Sequence, residues 1–389
     1  MAVTVDGLKI TLTSEGGTGW GSESSPYTWA QIMLTATDIE YTLSSGGIAT
    51  KFYYVPYVLY VEADCYMTSS NEMVLFGGAI DVDRIRTQAG SHLVITSGQL
   101  MCNNEGFSYL YDATITDTAL FNFKGFSIYS NCTLRNVSFY NAGSIYFSLG
   151  FGTEISNCSV AGSQYGVIPR RNLSVDVGNK YFRCYSGILL GYNIGGDVRI
   201  ESPYIEDCTY DLSFQPLNTT NYKTVLVDPY LDFTKIDYMV SYSAGRNVTL
   251  QVVTRMSFAL ENATGSYITV YDKDDNIMYE GDYEEDLEID MLYYNQYVES
   301  AGTAGIPAVN DITIYYPFKL VVSREGYDNL EIPNIVPTIG QPTAIRGSMV
   351  EVTPPIFYQQ AISGDVLMSA LTGMVTVTEV FGEIITNVE

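Results

Sequence analysis

Between about residue 61 and residue 235 the chain repeats one short phrase: two or three alternating apolar and polar positions, then Asn, Gly or Ser at a bend. The units read HLVITSGQLMCNNEG, FSIYSNCTLRNVSFYNAG, TEISNCSVAGSQYG, YFRCYSGILLGYN and VRIESPYIEDCTYDLSF. A period-two alternation places one side chain inward and the next outward, and the bend residues tolerate unusual backbone angles. No single unit buries enough apolar surface to stand alone. Units stacked at a fixed period bury a continuous core, which predicts a right-handed parallel β-helix, a solenoid, over residues 61–240. All six cysteines fall inside it, and the last four intervals are 30, 26, 26 and 24 residues. That is the length of one coil, so the spacing predicts a ladder of inward thiols, one above another.

The pattern differs on either side. Residues 1–12 alternate as a half-buried strand and give way to SEGGTGWGSESSP, so residues 1–60 read as an N-terminal attachment arm and solenoid cap. Within it PYTWAQIML predicts a short capping helix with Thr28 as N-cap, and KFYYVPYVLYV predicts an edge or first-coil strand around Pro56. The stretch GVIPRRNLSVDVGNK predicts a loop protruding from the solenoid at Pro169, Arg170 and Arg171. Past residue 240 the strands lengthen and alternate with hairpin turns, which predicts an Ig-like antiparallel β-sandwich over residues 241–355. The tail, 356–389, carries DVLMSALTG, read as a short helix, and then the strand-like MVTVTEVFGEIITNV. The fold class is therefore all-β, a parallel β-helix followed by a β-sandwich.

Composition narrows the partners. Lys+Arg 19 against Asp+Glu 44 gives a net charge of -25, which repels phosphate backbones and anionic lipid headgroups; nucleic acid and membrane are not expected. Only 16% of residues are charged, and 33 tyrosines and 34 glycines take up part of the difference. The segment MAVTVDGLKITL has neither a basic nor an apolar signal region, so a cytoplasmic, reducing setting is expected, with the cysteines as apolar core thiols and a disulfide or metal site as the alternative. Asn131, Asn136, Asn157, Asn172, Asn218, Asn247 and Asn262 head Asn-x-Ser/Thr triplets, read as by-products of an Asn/Ser/Thr-rich β-protein.

Candidate chemistry is sparse. His92 is the only histidine, which removes every constellation needing two imidazoles. DKDDN, with Asp272, Asp274 and Asn276, opens like a calcium loop, but Ile277 stands where Gly is required and Tyr283 where Glu is required; a hairpin turn fits better. No glycine run has the order of a phosphate-cradling loop, and no cofactor or metal is expected. One carboxylate group remains: Glu201, Glu206, Asp207 and Asp211 fall within about one coil. Adjacent coils lie about 4.8 Å apart, so such acids can meet on one solenoid face, as glycoside cleavage requires. The aromatics of YFRCYSG, LLGYN and YIEDCTY suit either sugar stacking or core and interface packing, the structural reading being favoured.

The order of arm, parallel β-helix, small β-sandwich and tail, with REGYDN closing the sandwich, resembles the fibre and tailspike-like virion proteins of tailed bacteriophages, those of phages infecting Bacteroidales and of crAss-like phages among them. The resemblance implies a non-enzymatic structural subunit of the virion, a head or tail fibre or decoration protein. It also implies a homotrimer, other virion proteins as partners, and contact with a host-surface glycan. Some members of that class cleave glycans, and the alternative expectation is a depolymerising tailspike using Glu201, Glu206, Asp207 or Asp211.

Overall fold

The computed structural model describes residues 79–102, 107–141, 143–147, 153–169, 175–191, 196–217, 219–239, 244–302 and 307–352. It also describes short strands at 2–6, 9–13, 21–22, 25–26, 38–41, 58–67, 72–76, 366–369, 375–380 and 383–388. Among the described residues every regular element is a β-strand. The chain divides into two compact units, the first comprising 1–257, 288–317 and 336–344, the second 258–287, 318–335 and 345–389.

The first unit is a parallel β-solenoid of about six turns. Each turn contributes a strand to each of three faces. On the first face His92–Thr96, Ala113–Thr116, Thr133–Arg135, Glu154–Ser156, Val175–Val177, Val198–Glu201 and Lys223–Val227 pair in parallel succession. The second face stacks Gln99–Cys102, Ala119–Phe121, Ser138–Tyr140, Ser159–Ala161, Lys180–Phe182 and Tyr204–Glu206. The third stacks Tyr165–Pro169, Ser186–Leu190, Tyr210–Phe214 and Ile236–Tyr238. Parallel register puts like on like. Leu100, Leu120, Phe139, Val160, Tyr181 and Ile205 form one inward column, each at most 2% exposed. Burying each such side chain stabilises by roughly 1.5–3 kcal/mol. On the third face Tyr165–Pro169 and Ser186–Leu190 are buried at every position, which is why GVIP and SGILL run apolar without alternation.

The coils are closed by left-handed corners. Ser97, Asp117, Asn136, Asn157, Gly178, Ser202 and Asp228 all have positive φ and occupy equivalent positions of successive coils. Their amides donate to the next coil, Asp117 to Arg135 O (3.0 Å), Asn136 to Ser156 O (3.1 Å) and Asp228 to Val253 O (2.9 Å). A second column holds Asn122, Asn141, Gly162, Arg183 and Asp207, and a third Asp112 and Asn131. Short polar side chains tolerate this conformation and then bond to one another. Asn131 Nδ2 donates to Asp112 Oδ1 at 2.7 Å, and Asn136 Nδ2 to Asp117 Oδ1 at 2.9 Å.

These corners correct the expected thiol ladder. The residue after each corner turns inward, and the cysteines fill that small buried position in different columns: Cys132 follows Asn131, Cys158 follows Asn157, and Cys184 and Cys208 follow Arg183 and Asp207. Among the described residues only Cys184 and Cys208 stand one above the other. The coil itself is shorter at first than the cysteine intervals, with Leu93 paired to Ala113 and Thr114 to Thr133, lengthening later to Val198 paired with Thr224. Cys102, Cys132, Cys158, Cys184 and Cys208 are buried, and burial pushes the Cys132 thiol up to about 12.

Other expectations change in detail. The strand expected over residues 1–12 is a hairpin, Ala2–Asp6 with Lys9–Thr13, whose second strand pairs parallel with Asp38–Tyr41. Pro169 is not in a protruding loop: its ring is buried at the end of Tyr165–Pro169, where the missing N–H interrupts no further pairing. Arg170, Arg171, Pro56 and the expected PYTWAQIML helix after Pro26 lie outside the described residues. DVLMSALTG is not helical over Val366–Ser369, which pairs in parallel with Glu383–Val388; a strand partner overrides local helix preference.

After the solenoid the sheet changes character. Asn247–Glu261 pairs parallel with Lys223–Val227 and antiparallel with Glu288–Ser300, which in turn pairs antiparallel with Pro307–Ile314. The second unit holds an antiparallel sheet in the order Ile277–Asp282, Tyr267–Tyr271, Phe318–Ser323, Leu330–Ile335. Its core is Ile268, Val270, Phe318, Leu320 and Val322, all fully buried. The 272–276 segment is the hairpin turn there: Asp272 Oδ1 accepts from the amides of Asp274 and Asn276, each at 2.9 Å.

Candidate functional site

A cleft of about 530 Å³ opens in the first unit where the corner after Tyr204–Glu206, the start of Tyr210–Phe214 and the 230–235 loop meet. Glu206, Asp207 and Asp211, three of the four expected acids, line it together with Tyr230, Asp232, Phe233, Thr234, Lys235 and Ile339. Its shape comes from the solenoid. Tyr230 continues the second-face ladder, bridging Tyr204, with its amide donating to Pro203 O (2.9 Å) and its carbonyl accepting from the Ile205 amide (2.8 Å). The loop then tightens: Asp232 Oδ1 accepts from the Thr234 amide (2.8 Å) and hydroxyl (2.7 Å), and Lys235 N donates to Asp232 O (3.0 Å). Lys235 O in turn accepts from the Asp211 amide (2.8 Å).

Asp211 is the unusual member. It is 2% exposed; Oδ2 accepts from the Asp232 amide at 2.6 Å, but Oδ1 is buried with no hydrogen-bond partner. A buried polar oxygen left unpaired costs roughly 1–3 kcal/mol, so its persistence in a cleft wall needs a reason. Burial pushes the Asp211 carboxyl above its ordinary value, opposed by the Asp232 amide and Lys235 and assisted by the Asp232 charge. Asp232 is shifted the other way, held below its ordinary value by the Thr234 hydroxyl and amide. The surroundings of these two carboxyls in one cleft thus shift them in opposite directions.

One wall is aromatic. Tyr230, 42% exposed, stacks on Tyr204 with ring centroids 4.4 Å apart and planes 6° from parallel, and Phe182 lies 6.0 Å beyond Tyr204. Gly340 makes room for this ring; a Cβ there would come within 2.9 Å of Tyr230 Cβ. Burial, and then Glu206 and Tyr230, push the Tyr204 phenol up.

Glu201 is not part of the cleft. It points from the first face and accepts from Arg199 Nε and Arg255 Nη2, each at 3.0 Å, while Arg199 Nη2 also reaches Asp290 at 2.6 Å. The two faces meet at Ser202, so five residues of sequence carry Glu201 and Glu206 onto different sides of a corner. Sequence reasoning missed Tyr230, Asp232 and Lys235. The signal available was DFTK, an Asp two residues before Thr, which is the pattern of an Asx turn.

His92 begins a strand and is exposed, away from these acids in sequence and coil. Among the described residues no three His, Cys, Asp or Glu side chains are grouped so as to hold a metal ion. Compared with known proteins, the chain matches no family model, no curated protein and no solved structure.

Proposed function

We propose that the chain is a non-enzymatic structural subunit of a phage virion, of fibre or decoration type, that works as a homotrimer among other virion proteins and touches a host-surface glycan. The observation that supports this most is the solenoid: inward columns, corner columns and amide ladders repeat coil after coil, an arrangement that resists deformation along its stacking direction. On the first face neighbouring coils are further tied side chain to side chain, Thr116 Oγ1 donating to Thr96 Oγ1 at 3.2 Å and Arg135 pairing with Glu154 at 2.8 Å. The test is the molar mass of the purified chain by light scattering, with negative-stain imaging. Three times the chain mass of 43.0 kDa supports the reading; a monomer at every concentration sinks the trimer.

A second reading, glycan depolymerisation, is favoured by one observation, the grouping of Asp211 with Glu206, Asp207 and Asp232 in one cleft. In that reading the buried Asp211 carboxyl protonates the leaving oxygen and an ionised neighbour serves the opposite side of the sugar. Release of reducing ends from a bound polysaccharide separates it from simple adhesion.

A further inference from the structure

Cys184 and Cys208 oppose each other across two neighbouring coils. Phe182 pairs with Glu206 before them and Ser186 with Tyr210 after them, both at the same interval of 24 residues, so the two cysteines share one register. The Thr209 amide donates to Cys184 O at 3.0 Å and ties the coils at this point. Strands paired in this way lie about 4.8 Å apart, within the range of about 4.4–6.8 Å that a disulfide asks of its two Cα atoms. The side chains lean together as well: Cys208 Sγ donates to Tyr181 O, in the coil of Cys184, at 3.6 Å. A hydrogen bond from the Cys208 thiol to the Cys184 sulfur holds Cys184 below its ordinary value and pushes Cys208 up. Cys184 is therefore the better nucleophile of the two, and Cys208 the thiol held beside it. The register gives Cys132 and Cys158 no such neighbour: Cys132 lies between Ala113 and Thr153, and Cys158 between Val137 and Asn179.

We propose that Cys184 and Cys208 are a peroxide-oxidised pair that closes into a disulfide and staples one coil of the solenoid to the next. The Cys184 thiolate attacks one oxygen of hydrogen peroxide; the O–O bond breaks, the departing hydroxide leaves as water with the Cys184 proton, and Cys184 becomes a sulfenic acid. Cys208 Sγ then attacks the sulfenic sulfur; the S–O bond breaks and the hydroxide leaves with the Cys208 proton as a second water. Each sulfur gives up one electron, and the peroxide is reduced to two waters. The residues are 2% and 4% exposed, so the reaction is slow and waits on local opening of the coil. A covalent step keeps the product of each opening, so brief access by a molecule little larger than water is enough. The closed loop restricts the unfolded chain more than the folded one, and the staple is open in reducing and shut in oxidising surroundings. It is independent of both readings of function given above.

The experiment uses the full folded chain, reduced, freed of reductant and held at pH 7 with hydrogen peroxide. Remaining thiols are alkylated in denaturant, and the peptides are mapped by mass spectrometry without reduction. A cross-linked peptide joining Cys184 to Cys208, lighter by two hydrogens than its reduced parts, is expected as the dominant disulfide. The melting temperature of the oxidised chain is expected to rise by at least about 5 °C and to fall back when a dithiol reductant is added. Cys184→Ser and Cys208→Ser are each expected to abolish both the cross-link and the rise. Serine suits this position, since Ser163 precedes Cys184 in the same column. Cys102→Ser, in another column, is expected to leave both in place. A folded chain that gives no Cys184–Cys208 peptide overturns the proposal, as does a mixture in which other cysteine pairs form equally well. A cross-link that leaves the melting temperature unchanged or lowers it overturns the staple.

Discussion

Two carboxylates of one short stretch show how environment decides what an acid does. Glu201 is held by Arg199 and Arg255, and both arginines also face Asp290, at 2.6 and 3.8 Å. Burial alone would raise its pKa, but the hydrogen bonds from Arg255 and Arg199 outweigh this and hold Glu201 below its ordinary value. A depressed carboxylate contributes stability that is present above the unfolded pKa, near 4.3, and is lost as pH falls through the folded value. The side chains are 29–41% exposed, so the network is partly screened and worth about 1 kcal/mol. Glu201→Gln is therefore expected to lower the urea-unfolding free energy by about 1 kcal/mol at pH 7, the difference closing below about pH 4. Urea titrations of both proteins at pH 7, 5 and 3.5 check it, and a gap independent of pH removes the ion pairs as its source. Asp211 has the opposite sign. Its raised carboxyl favours the folded state at low pH and costs stability once ionised.

At the scale of the element, the corner is the unit that makes the solenoid. Asn136 combines a φ of 54° with a side-chain amide bonded to Asp117 one coil away. Replacing it by Ala keeps the left-handed backbone at a cost of roughly 1–2 kcal/mol and forfeits a hydrogen bond worth about 1 kcal/mol. Asn136→Gly forfeits the bond alone. The expected order in urea midpoints is wild type, then Gly, then Ala, with Ala down by about 2–3 kcal/mol; equal losses for Gly and Ala would show that the left-handed backbone carries no strain. The same corner explains what could be read beforehand. Inward and outward alternation was legible because it depends on polarity, and it located the solenoid. The register was not, because the corner column holds Ser, Asp, Asn and Gly, four residues that share a tolerance for positive φ rather than a letter. Cysteine, being rare, stood out instead, although it fills an inward position after several different corners. The Asn-x-Ser/Thr triplets at Asn131, Asn136 and Asn157 have the same origin: corner, small buried residue, outward hydroxyl.

For the whole chain, the point where one pattern yields to another is a single strand. Asn247–Glu261 meets a parallel neighbour at one edge and an antiparallel one at the other, and no local feature of NVTLQVVTRMSFALE announces which partner each edge will find. Charge, by contrast, is read from the sequence without any fold. A surplus of 25 negative charges over 389 residues repels itself in the folded chain more than in the extended one. Salt acts on both this repulsion and the ion pairs, and the balance decides the sign. The Glu201 network is worth about 1 kcal/mol and is partly buried, so screening takes little from it. The unpaired surplus is spread over distances comparable with the Debye length, which falls from about 30 Å at 0.01 M to about 3 Å at 1 M salt, so screening removes most of its cost. Raising sodium chloride from about 0.01 M to 1 M is therefore expected to raise the melting temperature by several degrees, read by circular dichroism at the β-sheet band. Sodium chloride and potassium chloride act alike if screening is the cause. A melting temperature that falls with salt would mean that the ion pairs, and not the acidic surplus, set the electrostatic balance of the fold.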